Sequence, residues 1–183
     1  MCLDGDRLWV FGYGSLMWQP GFSFIERRRA LLRGYHRAPC VLSTHYRGTA
    51  EIPGLVVGLD RGGACCGIAF AAAATVAAAV IDYLQEREIG LARGGGAYIP
   101  RYLTVFLDDG RRVSALSYVA NRTHPQYIGC LSLEQIATLI RQGVGHGGTS
   151  RDYFASLLHH LSAFDIQDHL LQRLVGMVDT PAA

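Results

Sequence analysis

Two rhythms divide this chain. Through its first two thirds, short apolar runs alternate with glycines and charged residues; its last 50 or so positions carry helical spacing. Leu8 to Tyr13 (LWVFGY) is an apolar and aromatic run stopped by Gly14-Ser15, which predicts a buried strand. Ala38 to Thr44, Gly54 to Asp60 and Cys66 to Phe70 have the same character and are predicted as strands. Glu26 to Leu32 (ERRRALL) lacks it and is predicted as a bend or polar connector. Thr75 to Glu88 reads as a helix with Thr75 at or near its N-cap, followed by a glycine-rich loop at Arg93 to Ala97. Tyr102 to Leu107 and Arg112 to Val119 form a hairpin around Asp108-Asp109-Gly110. Ser132 to Gln142 opens with S-x-E-Q, close to a capping box, and continues as an amphipathic helix. Gly143 to Gly148 is expected to be a loop, and Ser150 to Ala163 and Asp165 to Val178 the last helices. Strands early and helices late predict an α+β fold rather than βαβ alternation. With no repeat and no Pro- or Ser-rich linker, residues 1–183 are expected to form one domain.

Composition narrows the functional classes. Half of the 183 residues are apolar and only 17% are charged, so material for a core is ample. The net charge of +2 is too balanced for a strong nucleic-acid or membrane-surface field. All 17 basic residues are Arg, which removes Schiff-base, Walker A and every other lysine chemistry. Ala64 to Ile81 carries no charge over 18 residues, barely membrane length. It is mostly alanine, and it splits into a strand and an Ala-rich helix of a soluble core. The start lacks the basic and apolar regions of a signal peptide. Five cysteines without a C-x-x-C pair indicate neither a zinc ribbon nor a redox dithiol and suit a reducing cytoplasm. A cytoplasmic protein with no obligate protein partner is expected.

Two features carry candidate chemistry. Gly12-Tyr13-Gly14-Ser15 ends the first strand, but position 17 is Met and no acidic residue follows at the dinucleotide-fold distance. What remains is a backbone-lined anion or carbonyl site, or an ordinary tight turn, which composition alone favours. The second feature is a carboxylate. With Val76 at zero and about 100° per residue, Glu88 falls at about 120°, inside the apolar arc of Val80, Leu84, Ala77 and Ile81. Glu86 falls at about 280°, beside Asp82 on the polar face. Burial and the C-terminal helix dipole both raise the pKa of an inward Glu88, as a general base near neutral pH requires. A buried glutamate paired with one of the many arginines fits the same pattern.

Other candidates are thinner. The seven histidines form neither H-x-x-x-H nor H-E-x-x-H, so no metal is expected. There is no G-x-S-x-G nucleophile elbow. Cys65-Cys66 lie in an apolar strand, where packing explains them. Gly143 to Gly148 (GVGHGG) precedes a helix but lacks the Lys-Ser/Thr of a phosphate loop; its helix start remains a usable anion site.

Several segments together carry a family resemblance. Val10 to Trp18 (VFGYGSLMW) resembles the V-F-G-Y-G-S-L-x-W signature of the ChaC family, γ-glutamylcyclotransferases acting on glutathione. In order along the chain follow Ser43 to Gly48 (STHYRG), Pro53 to Val57, Cys66 to Phe70 and Tyr83 to Glu88 (YLQERE). Ala97 to Arg101, His124 to Gly129 (HPQYIG) and Arg151 to Tyr153 continue the match, which spans roughly residues 8 to 178 and resembles the bacterial branch. The departures are the long segment IGLARGGGA after Glu88 and Pro100-Arg101-Tyr102 where the family has P-R-W. Both bear on the pocket wall.

The resemblance implies a γ-glutamylcyclotransferase-like fold, a small mixed β-barrel with flanking helices. It makes Glu88 the catalytic carboxylate, the residue that the helical wheel also turns inward. It sets the substrate against Val10, Phe11, Gly12, Tyr13, Gly14, Ser15 and Leu16, with Tyr127 as an orienting hydroxyl. Arg47 or Arg101 is a candidate for the glycine carboxylate of glutathione. The implied reaction needs no metal, cofactor or protein nucleophile. The alternatives are other γ-glutamyl amino acids or amines as substrates, or a non-catalytic, cation-transport-associated ligand-binding regulator.

Overall fold

A computed structural model describes residues 4–89, 96–129 and 131–180. Its five long strands are β1 (Arg7–Gly12), β2 (Glu26–Ser43), β3 (Gly54–Ala73), β4 (Tyr98–Leu107) and β5 (Arg112–Ala120). They close a barrel in the order β1-β3-β2-β4-β5. The barrel is mixed, because β1 runs antiparallel to β3 and parallel to β5. Helix α1 (Ala77–Ile89) follows β3. The remaining elements are α2 (Leu133–Gln142), a small hairpin of β6 (Val144–Gly145) and β7 (Gly148–Thr149), α3 (Ser150–Ala163) and α4 (His169–Asp179). The α+β class and the barrel with flanking helices are as expected.

The chain divides into two compact units, Met1–Ala38 with Gly58–His124, and Pro39–Val57 with Pro125–Ala183. In the first, alternation along β1 sorts its side chains. Leu8 and Val10 join Ala72, Leu116 and Tyr118 in a cluster that packs against Ala77, Val80 and Leu84 of α1. Trp9 and Phe11 therefore point to the opposite face, the barrel interior, and are equally buried. In the second unit, Ser132 caps α2 through a complete capping box with Gln135, as S-x-E-Q predicts. Ser150 at the start of α3 is fully buried, and its hydroxyl bonds the main chain of Leu55.

Five expectations need correction. Glu26 to Leu32 is not a connector but the first part of β2. Ala30, Leu31 and Leu32 pair with Leu107, Phe106 and Val105, so the backbone is satisfied by a distant strand. Glu26 accepts from Arg28 within the segment and from Arg7, and also pairs with Arg111. Arg111 first, and then Arg28, hold the Glu26 carboxyl down to about 2. The two strands predicted at 54–60 and 66–70 are one 20-residue strand, which passes through Gly62 and Gly63 at positive φ. Thr75 is not an N-cap. It lies inside a 3₁₀ turn (Ala74–Val76) entered from Ala73 without a side-chain cap, and α1 starts at Ala77. Gly143 to Gly148 contains the β6–β7 hairpin, and the following helix start is closed by its own cap, Thr149 Oγ accepting from the Asp152 N–H. The last helix is shorter than expected, starting after its cap Asp168. The Asp108-Asp109-Gly110 hairpin forms as expected, with Gly110 at φ +88°. Of the glycine-rich loop, Arg93 to Gly95 lies outside the described residues.

Among the described residues, no helix is long and apolar enough to cross a membrane. Ala64 to Ile81 splits between β3 and α1, as its composition suggests.

Candidate active site

The site is built where β1 ends and α1 ends. Beyond Gly12 the chain makes a 3₁₀ turn (Ser15–Met17), with the Met17 N–H donating to the Gly14 carbonyl and the Gln19 N–H to that of Ser15. Gly67 lets this segment sit close: a Cβ there would lie 2.4 Å from the Gly12 carbonyl oxygen and 2.7 Å from the Phe11 ring. Four side chains then hold the segment. Ser117 Oγ donates to the Phe11 carbonyl at 3.0 Å. Arg37, buried at 7% exposure, donates through Nε to the Tyr13 carbonyl at 2.6 Å and through Nη2 to that of Cys66 at 2.7 Å. The Tyr13 hydroxyl donates to the Tyr118 carbonyl at 2.8 Å. Arg87, from α1, donates through Nη2 to Ser15 Oγ at 3.0 Å.

Glu88 is the next residue on α1. Asp82 and Glu86 are exposed, whereas Val80 and Leu84 are buried and the Glu88 side chain keeps only 18% exposure. The helical wheel thus places the three carboxylates correctly. Burial raises the Glu88 carboxyl above its ordinary value, and the Arg87 charge opposes this in part. The carboxylate Oε1 lies 3.3 Å from Arg87 Nε. Arg87 also reaches the carbonyl of Gln19 at 2.6 Å and the Tyr83 hydroxyl at 3.0 Å. One guanidinium therefore joins the candidate base, its helix and the segment after β1. Both readings of Glu88 are met at once: it is inward with a raised pKa, and it has an arginine neighbour.

The ChaC-like protein family model matches residues 8–181. This chain belongs to the ChaC family. It is 36% identical over 175 residues to the glutathione-specific γ-glutamylcyclotransferase of Escherichia coli, an alignment covering 96% of this chain and 74% of that one. It is 35% identical over 185 residues to glutathione-specific γ-glutamylcyclotransferase 1 of Homo sapiens, covering 97% and 82%. A crystal structure of a glutathione-specific γ-glutamyl cyclotransferase from yeast superposes with a TM-score of 0.86, covering 96% of each chain. At 21% identity that likeness speaks for the fold.

Within this ChaC chain the remaining predicted residues have distinct surroundings. Val10 and Phe11 are fully buried and their backbone is paired with Phe70 and Ala69 of β3, so their side chains are core. Gly12 to Leu16 form the turn itself. Arg47 and Tyr127 belong to the second unit. Arg47 donates to the carbonyls of Gly147 and Thr149, and its guanidinium lies 5.7 Å from the Tyr153 ring centre. Its donors thus hold the β6–β7 hairpin. Tyr127 pairs with Val41, and its hydroxyl lies over Gly129, where a Cβ would approach to 2.3 Å. Arg101 is exposed on β4, opposite Ser117. No group of His, Cys, Asp or Glu among the described residues could hold a metal.

Sequence reasoning missed Arg37 and Arg87 as builders of the site. Arg87 was visible as the R of YLQERE, four residues after Tyr83 and so on its side of the helix. Nothing local marks Arg37, because its partners lie 24 and 29 positions away.

The raised Glu88 pKa links stability to pH. Unfolded, the carboxyl titrates near its ordinary 4.5; folded, it holds its proton to higher pH. Between those two values the native state binds more protons than the unfolded state, so stability falls as pH rises through the window. Above the folded value the loss is complete. Glu88→Gln removes this contribution. Its thermal midpoint is expected to fall less than that of wild type as pH rises from about 4.5. Parallel melting curves across that range would contradict a buried, shifted Glu88.

Proposed function

We propose that this protein cleaves glutathione to 5-oxoproline and cysteinylglycine, with Glu88 as the single proton-transfer group. The observation that carries the reading is Glu88, with its raised pKa, tied through Arg87 to the turn after β1. The names of the E. coli and human relatives supply the substrate class.

The chemistry follows from the substrate. Its α-amino group is tethered four bonds from the γ-carbonyl carbon and can close a five-membered ring. Orientation of such a pair supplies about 7–11 kcal/mol of the barrier. The amine must first lose a proton, which the Glu88 carboxylate accepts. The nitrogen then bonds to the γ-carbonyl carbon, and the amide bond from that carbon to the cysteine nitrogen breaks. Glu88 returns the proton to that leaving nitrogen, then takes the second proton that the ring nitrogen sheds as it becomes an amide and passes it to the departing amine. Two protons thus cross from the attacking to the leaving nitrogen through Glu88, no water is consumed, and no covalent enzyme intermediate forms. A carboxyl with an elevated pKa suits both halves of this duty. The backbone N–H groups of Tyr13 to Leu16 face the γ-glutamyl carboxylate or the developing oxyanion, at a place where glycines permit close approach. Arg47, Arg101 and Tyr127 remain candidates for the far end of the peptide. A reducing cytoplasm, where glutathione is abundant, is the fitting compartment.

The test is to incubate the purified protein with millimolar glutathione and, separately, with γ-glutamylalanine, and to follow 5-oxoproline by mass spectrometry. We expect 5-oxoproline and cysteinylglycine from glutathione and at most trace cyclisation of γ-glutamylalanine. Efficient cyclisation of γ-glutamylalanine alone would move the assignment to other γ-glutamyl substrates. No product from either would overturn the enzymatic reading.

A further inference from the structure

Arg37 of β2 carries a buried guanidinium that the proposed reaction does not use. It reaches three places at once. Its Nε donates to the Tyr13 carbonyl at 2.6 Å and its Nη2 to the Cys66 carbonyl of β3 at 2.7 Å, while Nη2 also lies 3.9 Å from Met17 Sδ. The neighbouring Phe11 carbonyl is held by nothing larger than the Ser117 hydroxyl. A planar fork does more than a hydroxyl, because its donors leave in fixed directions and set the angle of what they hold. Anchored on β3, the fork fixes the direction in which the Tyr13 carbonyl points.

The consequence lies on the other side of that peptide. The Tyr13–Gly14 unit is planar and trans, so its carbonyl and its N–H point in opposite directions. With the Tyr13 carbonyl turned onto Arg37, the Gly14 N–H faces away from that guanidinium. Among the described residues this N–H has no main-chain acceptor, whereas the Gly14 carbonyl accepts from the Met17 N–H. Gly14 has no side chain to screen the donor. The next residue, Ser15, is held through its hydroxyl by Arg87, the neighbour of Glu88. One short segment thus carries the open donor and the link to the base, with an arginine from β2 on one part of it and an arginine from α1 on the next.

Building on the cyclotransferase reading, we infer that Arg37 is a positioning residue for the transition state. By holding the Tyr13 carbonyl it aims the Gly14 N–H at the γ-carbonyl oxygen of the substrate, where negative charge develops as the α-amine attacks. A donor set in place beforehand needs no reorganisation at the moment of reaction. The oxygen gains most from that bond when it carries charge, so the effect falls on kcat rather than on KM. Without the fork the Tyr13–Gly14 peptide rotates and its N–H swings off the oxygen. Arg37 itself touches neither the substrate nor Glu88 and moves no proton.

Arg37→Lys and Arg37→Gln test this, beside wild type on glutathione. Each side chain keeps a donor for one carbonyl but lacks the fork that spans both, and only Lys keeps the charge. Both variants are expected to lose about tenfold in kcat, less than the about 10²–10³ of an oxyanion donor removed outright, because the N–H is misaligned and not deleted. KM is expected to change by less than about twofold. The acid limb of the kcat profile is expected to stay in place, since Glu88 keeps its burial and its Arg87 neighbour. Wild-type kcat in a folded Arg37→Lys would overturn the inference, because the charge alone would then suffice. A raised KM at unchanged kcat would overturn it by placing the held turn in ground-state binding. A shifted acid limb would overturn it by showing that the loss acts through Glu88. Circular dichroism and a thermal melt report folding; if one variant folds it decides alone, and failure of both would overturn the inference by making Arg37 a folding residue. A wild type without turnover would overturn the cyclotransferase reading, and this inference with it.

Discussion

Glu88→Gln is expected to lower glutathione turnover by about 10²–10⁴-fold, the usual contribution of a positioned acid–base group. The amide keeps the shape of the side chain but can neither accept nor return a proton in the working range. Folding is expected to be intact. A buried carboxyl with a raised pKa opposes stability wherever it is ionised, so the thermal midpoint near pH 8 should equal or exceed that of wild type. Substrate affinity is expected to change little, because the proposed binding mode places the γ-glutamyl arm on the turn after β1. The measurements are 5-oxoproline release under saturating glutathione, circular dichroism and a thermal melt. Turnover at the wild-type rate in Glu88→Gln would remove the proton-transfer mechanism. Lost turnover together with a lost fold would instead make Glu88 a structural residue.

Arg87 is expected to have the second largest effect, for a different reason. Its guanidinium contacts Ser15 Oγ, the Gln19 and Pro20 carbonyls, the Tyr83 hydroxyl and Glu88. These groups come from α1 and from the segment after β1, so the planar fork sets their spacing. Arg87→Lys keeps the charge but replaces the fork with a point donor that cannot reach all five. A fall in kcat/KM of about 10–100-fold is expected from the misplaced turn. A destabilisation of about 1–2 kcal/mol is expected too, since the contacts are part exposed and solvent screens them. In Arg87→Gln the positive charge is gone as well. The Glu88 carboxyl then loses the influence that lowers its pKa, and the acid limb of the activity profile should move to higher pH. An unmoved acid limb in Arg87→Gln would show that this arginine leaves the base unaffected.

Much of the site was legible before any coordinates. The period of α1 alone separated Glu88 from Glu86 and Asp82, because a single amphipathic helix carries its own coordinate system. The run LWVFGY ending in Gly-Tyr-Gly-Ser marked the strand and the turn that Arg87 ties to α1. The capping box at Ser132 was read from four consecutive residues. What failed to show has a common cause. ERRRALL lacks strand alternation, and it becomes strand because β4 supplies its hydrogen bonds and Glu26 pairs with Arg28 and with the distant Arg111. The join of two predicted strands into β3 depends on two glycines at positive φ within a closed barrel. Arg37, a long cation in a strand, gave no hint that its donors would fix the Tyr13 and Cys66 carbonyls.

The local sequence by itself determined the inward face of α1, the cap of α2, the glycine turn and the family to which the chain belongs. All of these rest on residues within a few positions of one another. The tertiary structure alone decided which strands pair and which arginines are spent on backbone carbonyls. Those outcomes depend on partners 24 to 106 residues apart, as in the bonds from Arg37 to Tyr13 and from Ser117 to Phe11. Closure of the barrel brings such partners together, and no local pattern encodes which ones will meet.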